Sequence, residues 1–127
     1  PQASPGGLKD SDAIPQRGVL MPLQSWLDAV QASGQDAVPE DDEVFSYADT
    51  VGLPRSFVAL CWREFKRRQL KSGKRQRDWR ERFRECVTGN WYGLWLLAAG
   101  QDARLSTNGE QARRLFEAQD GAAEVAA

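Results

Sequence analysis

The sequence predicts a mainly α-helical fold, a compact helical domain of about five helices with a small β-hairpin near residues 94–106. Three observations lead there. Apolar residues recur at helical spacing in successive segments between Pro22 and Phe116; these segments are punctuated by proline at their starts and glycine at their ends; and 127 residues with 41% hydrophobic side chains suit one core rather than several.

Residues 1–19 hold three prolines, three glycines and few large apolar side chains. They bury too little surface to offset the entropy of ordering, so they read as a flexible linker. The sequence opens without Met, and Met21 lies inside an apolar stretch, which suits a fragment or the C-terminal domain of something longer.

A single helical domain is expected over residues 20–118. Its first helix runs from about Pro22 to Ser33, with Leu23, Trp26, Leu27 and Val30 at i, i+3, i+4 and i+7, and Gly34 just past its end. The second starts in the acidic cluster Glu40-Asp41-Asp42-Glu43, whose charge suits a helix N-terminus, carries Val44, Phe45, Tyr47 and Ala48, and stops at Gly52. The third opens at Pro54, a favoured first-turn position, and continues to about Lys71. After the Ser72-Gly73 break, the fourth runs from about Lys74 to Val87, with Trp79, Phe83, Cys86 and Val87 as its apolar stripe.

Gly89-Asn90 can end that helix in a left-handed conformation. Residues 91–99 are apolar without a clean period, Gly100-Gln101-Asp102 is a turn, and residues 103–106 are a short return. A hairpin is the first reading and continued helix its rival, because periodicity does not separate the two in short apolar runs. Thr107 followed by Glu110 is a capping box and predicts a last helix from about Asn108 to Ala118; residues 119–127 read as a flexible tail.

Composition removes several function classes. No run approaches eighteen apolar residues, so no membrane segment is expected. Histidine is absent, which removes Ser-His-Asp and Cys-His nucleophile systems and histidine-containing zinc sites. Cys61 and Cys86 are too few for a closed zinc site; both fall on apolar stripes, as buried thiols of a reducing, cytoplasmic location would. There is no P-loop and no dinucleotide fingerprint, and nothing groups a nucleophile with a base. The chain is expected to be no enzyme and to carry no metal or cofactor.

The net charge of −1 conceals a dipolar chain. Residues 1–50 hold 2 basic and 9 acidic side chains, residues 51–86 hold 12 and 4, and residues 87–127 hold 3 and 5. Eleven cations fall between Cys61 and Cys86, eight of them arginine. An anionic polymer rewards such a row through phosphate contacts and counterion release, and arginine favours phosphate forks. On a helical wheel Arg63, Lys66 and Arg67 lie opposite the apolar arc of the third helix, while Arg77, Arg80 and Arg84 line one flank of the fourth and lack complete compensation. Asp78 and Arg82 form an i, i+4 pair. With Lys71, Lys74 and Arg75 in the connecting turn, these residues are the expected phosphate contacts for single- or double-stranded DNA. The two helices and their glycine-containing turn have the outline of a helix-turn-helix, with the hairpin where a wing would sit.

Two other readings stand beside this one. The charge is a solvated face, or it binds the acidic 1–50 segment within the same molecule. The rival from another class is a protein-interaction adaptor whose basic face docks an acidic partner such as a helicase. Trp26, Trp62 and Trp79 read as core; Trp91, Tyr92 and Trp95 are less constrained, and one partly exposed ring among them could stack on a base.

Further residues carry a resemblance: Pro39-Glu40-Asp41-Asp42, Phe45, Tyr47-Ala48, Val51-Gly52-Leu53-Pro54, Trp62-Arg63-Glu64-Phe65-Lys66, Lys74-Arg75-Gln76-Arg77-Asp78-Trp79-Arg80, Phe83-Arg84, Gly89-Asn90-Trp91-Tyr92, Leu94-Trp95 and Leu105-Ser106-Thr107 with Gly109. Across Pro39 to Gln111, more than half of the chain, this pattern resembles a domain near the C-terminus of phage and prophage replication-type proteins, a group that includes relatives of primosomal protein DnaT and lambda O-like initiators. The resemblance implies DNA binding or primosome assembly without an enzyme active site, and replication proteins as partners. It assigns no role to individual residues. An overall pI of about 5.5 departs from a simple DNA-coating protein.

Overall fold

The computed structural model describes residues 19–126, with side chains for 19–121; the expected linker, apart from Val19, lies outside the described residues. In chain order the elements are β1 (Met21–Pro22), α1 (Leu23–Ala32), α2 (Glu43–Val51), α3 (Arg55–Ser72), β2 (Arg75–Gln76), α4 (Trp79–Thr88), β3 (Trp95–Leu96), β4 (Arg104–Leu105) and α5 (Thr107–Ala126). The fold is mainly helical, as the sequence predicts, with two small antiparallel two-stranded sheets.

Local chemistry sets the ends of the second and third helices. Asp42 caps α2 by accepting the Val44 N–H at 2.9 Å, and Gly52, at φ 77°, closes it by returning its N–H to Ala48. Pro54 precedes α3 in an extended conformation, and Gly73, at φ 68°, ends it with an N–H bond to Gln69. A side chain with a Cβ would be strained at both glycines.

The fourth helix departs from expectation. It begins at Trp79 rather than near Lys74, because Arg75–Gln76 are drawn into an antiparallel pairing with β1, Met21 opposite Gln76 and Pro22 opposite Arg75. Asp78 then caps α4, accepting the Glu81 N–H at 3.1 Å. The buried Trp79 ring fastens the junction by donating its Nε1–H to the Met21 carbonyl at 2.9 Å.

The hairpin reading of 94–106 holds in the structure: β3 pairs with β4 antiparallel, Trp95 opposite Leu105 and Leu96 opposite Arg104. Asn90, at φ 47°, turns the chain into it and braces it, accepting the Leu94 N–H and donating to the Trp95 carbonyl. Helix α5 begins one residue earlier than expected, because the cap is Ser106 rather than Thr107: its hydroxyl accepts the Gly109 N–H at 3.1 Å and donates to the Gly93 carbonyl. The helix continues past Ala118, the expected end, to Ala126.

α3 is the axis of the molecule and touches α1, α2, α4 and α5. Phe65 and Phe83 meet at 5.4 Å between ring centroids, Phe65 meets Trp79 at 5.9 Å, and Trp62 lies edge-on to Phe83 at 5.0 Å. Such offset and edge contacts add to burial itself. Trp26, Trp79 and Trp95 are buried, whereas Trp91 is 41% exposed. No helix among the described residues is long and apolar enough to cross a membrane.

Candidate nucleic-acid interface

The nine cations expected to meet phosphates do not form one surface. The structure divides them by what already neutralises them. Arg80 and Arg84 project from α4 onto the acidic stretch before α2. Arg84 grips Asp42 with two parallel bonds of 3.1 and 3.0 Å and reaches Glu43 at 3.7 Å. Arg80 donates to the backbone carbonyls of Ala37 at 2.9 Å and Asp36 at 2.7 Å, with its guanidinium 5.4 Å from the Trp26 ring centre. Together with Arg77 they wall a groove of about 670 Å³ whose other side is Asp41, Asp42 and Glu43. Part of the expected open arginine row is thus engaged by the chain's own acidic segment.

Asp42 is only 9% exposed. Burial by itself raises its pKa, but the Arg84 fork and the Val44 N–H outweigh that and hold the carboxyl below its ordinary value. A buried carboxylate that caps a helix and takes a two-bond fork is a structural fastening, not an exchangeable occupant of the arginines.

A second group lies along α3. Glu64, 3% exposed, accepts from Arg67 at 3.0 and 2.6 Å and also from Arg68. One carboxylate serving two guanidiniums leaves one positive charge over. Arg68 also covers the Tyr92 ring at 4.4 Å. Arg63 bonds Asp120 at 2.9 Å and lies 4.5 Å over Phe116, while Lys66 stands 5.6 Å from the Trp62 ring. Desolvation raises the Glu64 pKa and its two arginines lower it further, so the net displacement is again downward.

The sign for stability follows from these two carboxyls. A folded-state pKa below the unfolded one contributes stability that is fully present above the unfolded value and disappears as pH falls through the folded one. Resistance to denaturant is therefore expected to fall as pH drops below the ordinary values of 3.8 for Asp42 and 4.5 for Glu64. The Asp42→Asn chain, which keeps an acceptor for the Val44 N–H, should show a shallower acid dependence of its unfolding midpoint. An unchanged pH slope would remove Asp42 from this role.

The third group sits at the junction of α3 and α4. Lys71, Lys74 and Arg75 are exposed, and among the described residues their side chains have no hydrogen-bond or ion-pair partner. Arg77 is exposed beside them. Residues 71–77 contain four cations and no carboxylate. Gly73 turns the chain and the β1–β2 pairing holds it extended, so the four side chains are displayed on an ordered elbow.

The expected row of phosphate contacts omitted Arg68 and its partner Glu64, although their i, i+4 spacing is visible in the sequence. It also omitted the Asp42–Arg84 fork, whose members are 42 residues apart. Arg82, expected to pair with Asp78, pairs with Glu85 at 2.7 Å and lies 4.8 Å over the exposed Trp91. Among the described residues no group of three or more acidic or cysteine side chains is placed to hold a metal ion. No family model, curated protein or solved structure was found to match the chain.

Proposed function

We propose that this domain is a non-enzymatic DNA-binding module of a phage-type replication or primosome protein, and that its phosphate contact is the elbow from Lys71 to Arg77. The observation that carries this reading is the contrast between cations: Lys71, Lys74 and Arg75 have no partner among the described residues, whereas Arg80 and Arg84 would have to abandon buried or backbone partners to reach a phosphate. Arg67, four residues before Lys71, is held by the buried Glu64 through two bonds and bounds the elbow on that side.

Removing one phosphate-neutralising side chain should lower the slope of log affinity against log salt by about 0.9 for duplex and about 0.7 for single-stranded DNA. Replacing Lys71, Lys74 and Arg75 together with Ala is therefore expected to flatten the slope by roughly 2 to 3, with the unfolding midpoint nearly unchanged because all three are exposed. An unchanged affinity and slope would sink the proposal.

A protein-interaction adaptor is favoured by a different observation, an apolar groove of about 440 Å³ lined by Phe57, Leu60, Leu105 and Phe116 with Arg63, Arg113, Glu117 and Asp120 at its edge. In that reading the domain docks an acidic partner such as a helicase. A protein complex that the parent chain forms and a Leu60→Asp chain loses, with no DNA binding by the parent chain, would favour it.

A further inference from the structure

We propose that Cys61 and Cys86 are a modification site, a dithiol that a small-molecule disulfide converts into an intramolecular disulfide bolting α3 to α4. The two Sγ atoms are 3.7 Å apart across the helix crossing. Both thiols are free, and their residues are 2% and 0% exposed. A disulfide needs about 2.05 Å between sulfurs, so the remaining closure is about 1.7 Å at a crossing that already presents sulfur to sulfur. The chain has no third cysteine, so one intramolecular product is available.

The chemistry balances with an oxidant of the disulfide class. One cysteine thiolate attacks a sulfur of the small disulfide; that S–S bond breaks, a mixed disulfide forms and a small thiolate leaves. The second cysteine thiolate then attacks the protein sulfur and expels the other small thiolate. Two electrons pass from the cysteines to the oxidant, and the two cysteine protons end on the two released thiols. The neighbouring Cys86 thiol and burial both push the Cys61 thiol upward, so thiolate is scarce while the crossing is closed. The half-buried Tyr92 borders Cys86. With both residues buried, reaction waits for a local opening of the crossing and is slow, and the closed product is shielded from reductant in the same way. The cross-link joins residues 25 apart in sequence and restricts the unfolded chain, so it raises resistance to denaturant.

The test exposes the full, folded chain to oxidised glutathione, quenches with acid, alkylates in denaturant and maps the peptides. The expected result is disappearance of both alkylation sites together, a linked Cys61–Cys86 peptide, and a raised unfolding midpoint that returns to its starting value with excess dithiothreitol. The Cys86→Ala chain should stop at a glutathione adduct or a free Cys61, with no rise in midpoint. The wild-type peptide map decides the matter even where that variant does not fold. Two thiols that stay alkylatable through an exposure that oxidises the denatured chain would overturn the proposal, as would a cross-link that lowers the midpoint.

Discussion

Replacing Arg84 with Met is expected to destabilise the fold by roughly 2 to 4 kcal/mol, reduced from the roughly 3 to 5 kcal/mol of a fully buried pair because the Arg84 side chain is 28% exposed and water screens it. The cost comes less from the missing attraction than from what remains. Asp42, 5% exposed at its side chain, would keep its charge with the Val44 N–H as its hydrogen bond and the more distant Arg80 as its counter-charge. Adding Asp42→Asn to the Met variant should recover part of the stability, since asparagine also caps a helix and brings no charge. Denaturant unfolding of the two single variants and the double variant measures this directly. A destabilisation under 1 kcal/mol in Arg84→Met, combined with weakened DNA binding, would return Arg84 to the interface and break the division of the cations by partner.

Gly109→Ala is the second large effect, expected at about 3 kcal/mol or more. A Cβ on Gly109 would stand 2.0 Å from the Leu94 carbonyl oxygen and 3.0 Å from a Leu105 methyl group. The obstruction is backbone, and it is already committed: the Leu94 oxygen accepts the Ser106 N–H at 2.9 Å, and Ser106 caps α5 through the Gly109 N–H itself. An added methyl must therefore part α5 from the hairpin and disturb the cap together. Gly121→Ala in the same helix is the control, with nothing within 4 Å of the added carbon. It should be stabilising by up to about 1 kcal/mol through helix propensity. Equal unfolding midpoints for the two variants would show that the approach of Gly109 to Leu94 is not tight.

The parts of the fold written in local chemistry are legible from the sequence. Leu23, Trp26 and Val30 repeat at helical spacing and are buried; Asp42, Gly52 and Pro54 mark ends that the structure uses as such. Gly100 and the apolar stretch before it give the hairpin. The start of α4 is less accessible, since Arg75 and Gln76 have ordinary helix propensity and are extended where Met21 and Pro22 pair with them. One local signal did point the right way, Asp78 followed three residues later by Glu81, a capping pattern that places the helix start after Asp78. For the candidate site, the helical wheel sorts the charges by face but does not tell which arginines carry their counter-ion within the fold. The Asp42–Arg84 partnership depends on how α2 and α4 pack, and no periodicity encodes that.

The short β1–β2 ladder places the determinants of the basic elbow outside the elbow. Only two residue pairs hold it, helped by the Trp79 bond to the Met21 carbonyl, and they join segments far apart along the chain. Closing so long a loop costs entropy that two pairs repay only once the intervening helices have docked. The display of Arg75 is therefore expected to form only after the helices dock, and its strand amides to exchange hydrogen sooner than those of the aromatic core. Met21 and Pro22, neither of which carries a charge, act as its template.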